Sequence, residues 1–389
     1  MKKFALSSLS LALLGAAGAA HAQSSVTLYG VLDDSIQYVH NVTNTATGKN
    51  SNQIGLTAGN LQGNRWGMKG TEDLGGGLKA IFQLESGFNP NNGKMGNYGD
   101  NQSKLFGRQA YVGLQSDQFG TVTLGRQYDP VVDLVQAVTA DNYWGSTFTT
   151  PGDVDNNDNS SRTNNAVKYT SQTYSGFQFE AMYAFGGVAG STGAGQTWSG
   201  AATYANGPFS VAAGYIRMDN APGATRASTW NNGSNGATSD GTFDSTINSN
   251  FASAKSIGIA SVAAQYVVGP ITAGLRYSNA QYKADASSTF SSTERFNVGA
   301  GFVNYQLTPA ALLGLGYAYT HGSGNGPSAS YNQVSLGGDY NLSKRTDVYL
   351  VGAYQRASGT NVTASVADYG YDASGNSQEI LSLGIRHKF

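Results

Sequence analysis

The side chains that could do chemistry in this chain are basic, and they sit on the polar faces of alternating segments. Within Asn64–Lys69, Arg65 and Lys69 share one parity, opposite Trp66 and Met68. Within Arg162–Tyr169, Arg162, Asn164 and Lys168 share one parity, opposite Val167 and Tyr169. Arg108 lies in a segment of mixed parity, Phe106–Tyr111. Arg126 shares parity with Val122 and Leu124, which leaves two readings: above an apolar band, or at a subunit contact. Between Arg126 and Arg162 runs a stretch of opposite charge. Asp129 to Ser161 holds Asp129, Asp133, Asp141, Asp153, Asp155 and Asp158, with no Lys or Arg. Arginine stays charged even among like charges. A basic wall facing such a stretch would set up a field that orients dipolar solutes. Screening over about 8 Å at physiological salt would make any sorting graded.

Catalysis leaves no comparable pattern. His40, His321 and His387 each stand alone, and there is no Cys. No pair has metal-ligand spacing, and no nucleophile elbow follows a strand. Gly75-Gly76-Gly77 reads as a turn, since no helix follows to bind phosphate. No cofactor is implied.

The elements that must carry these residues are strands. Phe177, Phe179, Tyr183 and Phe185 alternate with Gln178 and Glu180. Leu78 to Phe88 alternates in the same way, with Lys79, Gln83 and Glu85 on its polar side. Leu381, Leu383, Ile385 and Phe389 oppose Ser382, Gly384, Arg386 and Lys388. Successive side chains of a strand point to opposite faces, so each segment has one apolar and one polar face. All eight prolines fall between these segments, where a ladder tolerates them.

Connections alternate in length. Seven short turns include Glu72–Gly76, Ser116–Gly120, Asn206–Pro208 and Asn341–Lys344. Eight long ones, rich in Asn, Ser, Gly and Thr, run at about 41–60, 90–103, 129–161, 189–197, 220–254, 284–292, 323–330 and 357–377. Together they separate sixteen strands. That rhythm predicts an all-β fold: a 16-stranded antiparallel transmembrane β-barrel with short periplasmic turns and long extracellular loops.

Composition agrees. Charged residues are 12% of the chain, half the usual share, against 11% aromatics and 52 glycines. A soluble surface needs more charge, a disordered chain has fewer aromatics, and a soluble sandwich fits the short/long rhythm poorly. In a barrel the outer face meets lipid and the lumen meets water, so neither demand dominates the average. A charge on the lipid face costs about 2–4 kcal/mol at the midplane, which assigns Arg65, Lys69, Arg162 and Lys168 to the lumen wall. Tyr29, Tyr38, Tyr317, Tyr319, Tyr340 and Phe389, near strand ends, suit aromatic girdles. A sixteen-stranded lumen is open unless something narrows it. The acidic stretch 129–161 could therefore be a solvated surface loop or one folded into the barrel.

The N-terminus reads as an export leader. Lys2 and Lys3 precede an apolar run from Phe4 to Gly18, and Ala20-His21-Ala22 offers a cleavage site. Residues 1–22 are thus expected to be removed, leaving 23–389 as one domain. Its 23 basic residues then lose two and face 24 acidic ones, a net of −3. That balance argues against a nucleic-acid partner.

The chain resembles the trimeric general porins of Gram-negative outer membranes, in their betaproteobacterial branch. The resemblance spans the mature chain. It rests on Gln23–Gly30, Arg65–Ala80, Gly107–Leu114, Leu124–Tyr128, Leu342–Thr346 and Gly384–Phe389. It implies an outer-membrane homotrimer among lipids and lipopolysaccharide, passing ions and small hydrophilic solutes passively. It implies that the third loop, 129–161, folds inward to constrict the pore. It also implies that Arg65, Arg108 and Arg162 line the constriction, with Lys69, Lys168 and Asn164 as further lumen-wall candidates. Asp129, Asp133 and Asp141 are the candidate facing acids. Phe389 matches the family's assembly signal, read by the barrel-assembly machinery. An outer-membrane enzyme lacks its constellation here, and an adhesin would leave the lumen arginines unexplained.

Overall fold

The computed structural model describes residues 25–96, 104–220, 230, 238–240, 243, 245–367, 369 and 371–389. The expected leader 1–22 lies outside the described residues. Strands form where the alternating segments stand. They are β1 (Ser25–Thr43), β2 (Asn50–Ala58), β3 (Arg65–Gly75), β4 (Leu78–Gly87), β5 (Gln109–Ser116) and β6 (Gly120–Gln127). Then come β7 (Thr163–Thr170), β8 (Phe177–Ala184), β9 (Thr197–Asn206), β10 (Phe209–Asp219), β11 (Ser256–Val268) and β12 (Ile271–Lys283). The last are β13 (Glu294–Thr308), β14 (Ala311–Gly324), β15 (Gly326–Asn341), β16 (Thr346–Gly359) and β17 (Ser377–Lys388).

Every neighbouring pair is antiparallel, and β17 closes the sheet on β1 from Val31↔Lys388 to His40↔Glu379. Seventeen strands make sixteen staves. β2 pairs with residues 34–43 of β1, and β3 with residues 25–31 along the same edge. They form one stave interrupted at 59–64. Asp33 holds that interruption inward: its Oδ2 accepts from the backbone N–H groups of Leu61 (2.8 Å) and Gln62 (2.7 Å).

Facing follows the alternation. Leu313, Leu315, Tyr317 and Tyr319 point outward and are exposed, while Gly314, Ala318 and Thr320 point inward. Leu381, Leu383 and Ile385 likewise face out, opposite buried Ser382 and Arg386. The apolar core therefore lies inside the barrel. Ile216, Ile257, Ile259, Tyr282, Phe296 and Val298 from β10–β13 pack with Val154, Ile247 and Phe251 from the long connections. That packing fills one side of the lumen and leaves the β3–β7 side open.

Three expectations need correction. The connection at 41–60 is mostly strand, because β1 and β2 extend into a hairpin. The connection at 323–330 is a tight turn between β14 and β15, so Pro327 lies within a strand. It is tolerated there because the register slips between Gly322 and Gly324, leaving no ladder bond for it to lose. Tyr29 belongs to no lipid girdle: its hydroxyl donates to Glu85 inside the lumen at 2.8 Å.

Candidate functional site: an arginine wall facing an inward loop

Four arginines separated by up to 97 residues meet because adjacent staves place their long-loop ends side by side. Arg65 opens β3, Arg108 precedes β5, Arg126 ends β6 and Arg162 precedes β7. All four border one cavity of about 450 Å³. Glu85 of β4 lies between the first two. Its carboxylate takes a 2.8 Å hydrogen bond from Arg108 Nε and stands 3.7 Å from Arg65 Nε. Tyr128 joins the others: its hydroxyl oxygen accepts from Arg108 (2.6 Å) and from Arg162 (2.9 Å). The Arg162 guanidinium also lies 4.9 Å from the Tyr128 ring centroid, a cation–π contact. Among the described residues, Arg162 has no carboxylate within 4 Å.

Arg126 faces the lumen. The β6–β7 register slips between Gly125 and Gln127, with the extra residue on β7 at Asn164–Asn165, and Gly125 at φ 139° turns the strand end so that Arg126 leaves the Val122 and Leu124 face. It donates to Asn164 Oδ1 at 2.6 Å and to the Gly107 carbonyl at 2.7 Å, and it pairs with Asp240. Lys69 stays exposed on the inward face, 5.5 Å from the Tyr29 ring centroid. Lys168 is buried and bonds both the Tyr128 carbonyl (3.1 Å) and the Asp133 carboxylate.

Residues 129–161 cross the barrel interior in short helical turns. Leu134, Val135 and Val138 pack on Ala201, Ala212 and Ala263 of β9–β11. The helical turn α1 (Asp141–Trp144) ends in a fully buried indole that donates to Asn304 Oδ1 at 2.7 Å. Small residues make the slot for it. A Cβ would lie 2.3 Å from the ring at Gly314 and 2.4 Å at Gly337. Asp155 pairs with Arg276 of β12. The segment is thus fastened to the wall opposite the arginines, and Asp133, Asp141 and Asp158 border the cavity from its side.

The loop acids differ in state. Burial, then repulsion from Asp153, pushes Asp141 up to about 7. Burial, then repulsion from Asp158 and Asp155, pushes Asp153 up to about 8. Asp158 is raised well above the usual range by burial and by Asp141. Burial also opposes charge on Asp155, but Arg276 and hydrogen bonds outweigh it and hold that acid low. Asp129 corrects an expectation, since it does not border the cavity. Its Oδ1 accepts the Val131 N–H at 2.8 Å and caps the loop's first turn. Capping by a short acceptor at a helix start needs only local geometry, and parity carries no trace of it.

Sequence reasoning missed Glu85, Tyr128 and Asp240 as site members. Tyr128 directly precedes the acidic stretch and the polar face of β4 already carried Glu85, so both had a weak signal. Asp240, inside a long polar connection, had none.

With that geometry in view, kinship follows. A profile of Gram-negative porins matches residues 8–360. The chain belongs to the Gram-negative porin family. An outer membrane porin protein of Bordetella pertussis is 31% identical over the full length of both chains. Outer membrane porin protein 32 of Delftia acidovorans is 30% identical, again over both full lengths. Among solved structures, an anion-selective porin from Comamonas acidovorans superposes with a TM-score of 0.72 at 25% identity, covering 94% of this chain and all of that one. The porin is therefore an outer-membrane β-barrel channel for passive diffusion, and its relatives are channels rather than enzymes.

Proposed function

We propose that this porin conducts ions and small hydrophilic solutes past the wall of Arg65, Arg108 and Arg162, that loop 129–161 constricts the path, and that anions pass preferentially. Arg162 carries the reading on selectivity. It borders the cavity with no carboxylate in ion-pair range among the described residues, whereas Arg65 and Arg108 share Glu85. The raised acids of the loop oppose it less than their number suggests. The Comamonas porin, described as anion-selective, is consistent with this preference. Lys69, Lys168, Asn164 and Asp133 shape the wall and tether the loop rather than select.

The working unit on this reading is a homotrimer among outer-membrane lipids and lipopolysaccharide. Leader 1–22 directs export, and Phe389 is read by the barrel-assembly machinery. Planar bilayers test the channel reading. Purified protein should give stepwise, salt-scaled conductance, with a reversal potential in a KCl gradient that favours chloride. Arg162→Gln should lower the chloride-to-potassium permeability ratio about two- to fivefold, the weight of one unit charge a few ångströms from a watery path. A silent membrane or an Arg162→Gln ratio equal to the parent's would overturn it.

A further inference from the structure

The connection between β10 and β11 sends one short segment back into the lumen. Thr163 and Ser239 form an isolated antiparallel bridge. Asn164 N–H donates to the Thr238 carbonyl at 2.7 Å, and Asp240 N–H to the Arg162 carbonyl at 3.0 Å. Hydroxyls lock it: Thr163 Oγ1 and Ser239 Oγ are 2.9 Å apart, and Thr238 Oγ1 donates to Thr197 Oγ1 at 2.6 Å. Residues 238–240 are thus an added stretch of backbone along the start of β7, beside Arg162. Main-chain and hydroxyl bonds fix it independently of the Asp240 carboxylate.

That carboxylate borders the cavity and engages two cations at once. One oxygen pairs with Arg126, and the other lies 3.2 Å from Lys104 Nζ. Arg126 is held from its other sides by Gly107 and Asn164. It would keep its place without Asp240. The two neighbouring arginines therefore differ in charge balance: Arg126 has a carboxylate from a distant loop at contact distance, and Arg162 has none within 4 Å among the described residues.

We infer that Asp240 is a selectivity-determining residue, a counter-charge that silences Arg126 and so limits the anion preference of the pore. The proposal rests on the arginine-wall reading above. Without Asp240 the wall would present a second uncompensated guanidinium to the path. Asp240 offsets one unit of the charge that Arg126 and Lys104 bring to this place, and the unit freed by its removal would act over the screening length of about 8 Å.

The test is reversal potential across a tenfold KCl gradient at pH 7, with the whole exported protein in planar bilayers. Asp240→Asn keeps the shape and backbone bonds and removes the charge. It should raise the chloride-to-potassium permeability ratio about two- to fivefold. Asp240→Glu should match the parent, which a purely structural role for the side chain's exact length would not allow. Arg126→Gln should lower the ratio, and the double variant Asp240→Asn with Arg126→Gln should return close to the parent. If Asp240→Asn fails to yield a heat-modifiable barrel, Arg126→Gln decides alone: an unchanged ratio sinks the proposal. Arg162→Gln separates the failures. A shift there with none in Asp240→Asn overturns this inference only; no shift in either overturns the arginine wall and this inference with it.

Discussion

Arg126 and Arg162 lie at the facing ends of neighbouring strands and carry the same charge, yet among the described residues only Arg126 is balanced by a carboxylate at contact distance. At the scale of single residues, this pore is decided by such compensation. The loop acids add a pH-dependent layer. Asp153 faces Asp155, Asp158 and Ser160, and Asp141 faces Asp153, Asp158, Arg276 and Gln136. With Asp141 raised to about 7 and Asp153 to about 8, both take up protons between pH 8 and pH 6, well above the usual carboxylate range. Each proton removes a negative charge from the loop. The chloride preference should therefore rise as pH falls through this window, and Asp153→Asn should flatten its upper part. Reversal potentials at pH 8, 7 and 6 provide the check; a flat profile down to pH 5 would show that these charges do not reach the path. The sign for stability runs the same way. Acids whose folded-state pKa lies above the unfolded value favour the packed loop most below about pH 4. They lose that contribution as pH rises through 7 to 8.

At the scale of elements, loop 129–161 is held in the lumen by shape as much as by charge. Trp144 fills a slot that exists because β14 and β15 present Gly314 and Gly337. Phe148 stacks on Trp144 at 5.5 Å and rests against Gly316. Removing a buried Trp side chain typically costs about 3–5 kcal/mol where the site cannot collapse. Trp144→Ala should release this anchor, widen the path and raise single-channel conductance, while larger sugars enter in liposome swelling. Parent-like conductance and size exclusion would mean that the Asp155–Arg276 pair and the Leu134–Val138 contacts suffice to hold the loop. The interruption at 59–64 completes the clamp from the other side. Ser146 N–H donates to the Asn60 carbonyl at 3.3 Å, and a Cβ at Gly145 would stand 2.3 Å from that oxygen.

At the scale of the whole molecule, pairing of β17 with β1 closes the sheet, which the hydrocarbon region demands because it offers backbone groups no partners. The last residue takes part. Phe389 exchanges two 3.1 Å backbone hydrogen bonds with Gly30, and its ring covers the place where a Gly30 side chain would be. Deleting Phe389 should lower the yield of heat-modifiable barrel in the outer membrane, both by losing the assembly signal proposed for it and by opening this seam. Full yield of folded protein would contradict both roles.

Period 2, together with the short/long rhythm of the connections, determined the barrel. Leu381, Leu383 and Ile385 against Ser382 and Arg386 can satisfy lipid and water together only in a closed sheet, and the seven short turns were readable because turn residues act locally. The lumen assignments of Arg65 and Lys69 were readable for the same reason, with no bulge between them and Trp66 or Met68 to reverse the parity. Arg126 was not, because the positive φ of Gly125, opposite an extra residue on β7, exchanges inside for outside and leaves no mark in the spacing. Tyr29 was misplaced because an aromatic near a strand end suits lipid and lumen equally. Which charges meet is a further step removed. Arg126 and Asp240 are 114 positions apart, and Asp240 lies in a polar connection without periodicity. Their encounter depends on register, on backbone bonds between 161–164 and 238–240, and on a core that fills the opposite side of the lumen. The sequence by itself determined a channel with arginines on its wall. Only the tertiary structure decided which of those arginines are left uncompensated, because charge compensation is a property of distances.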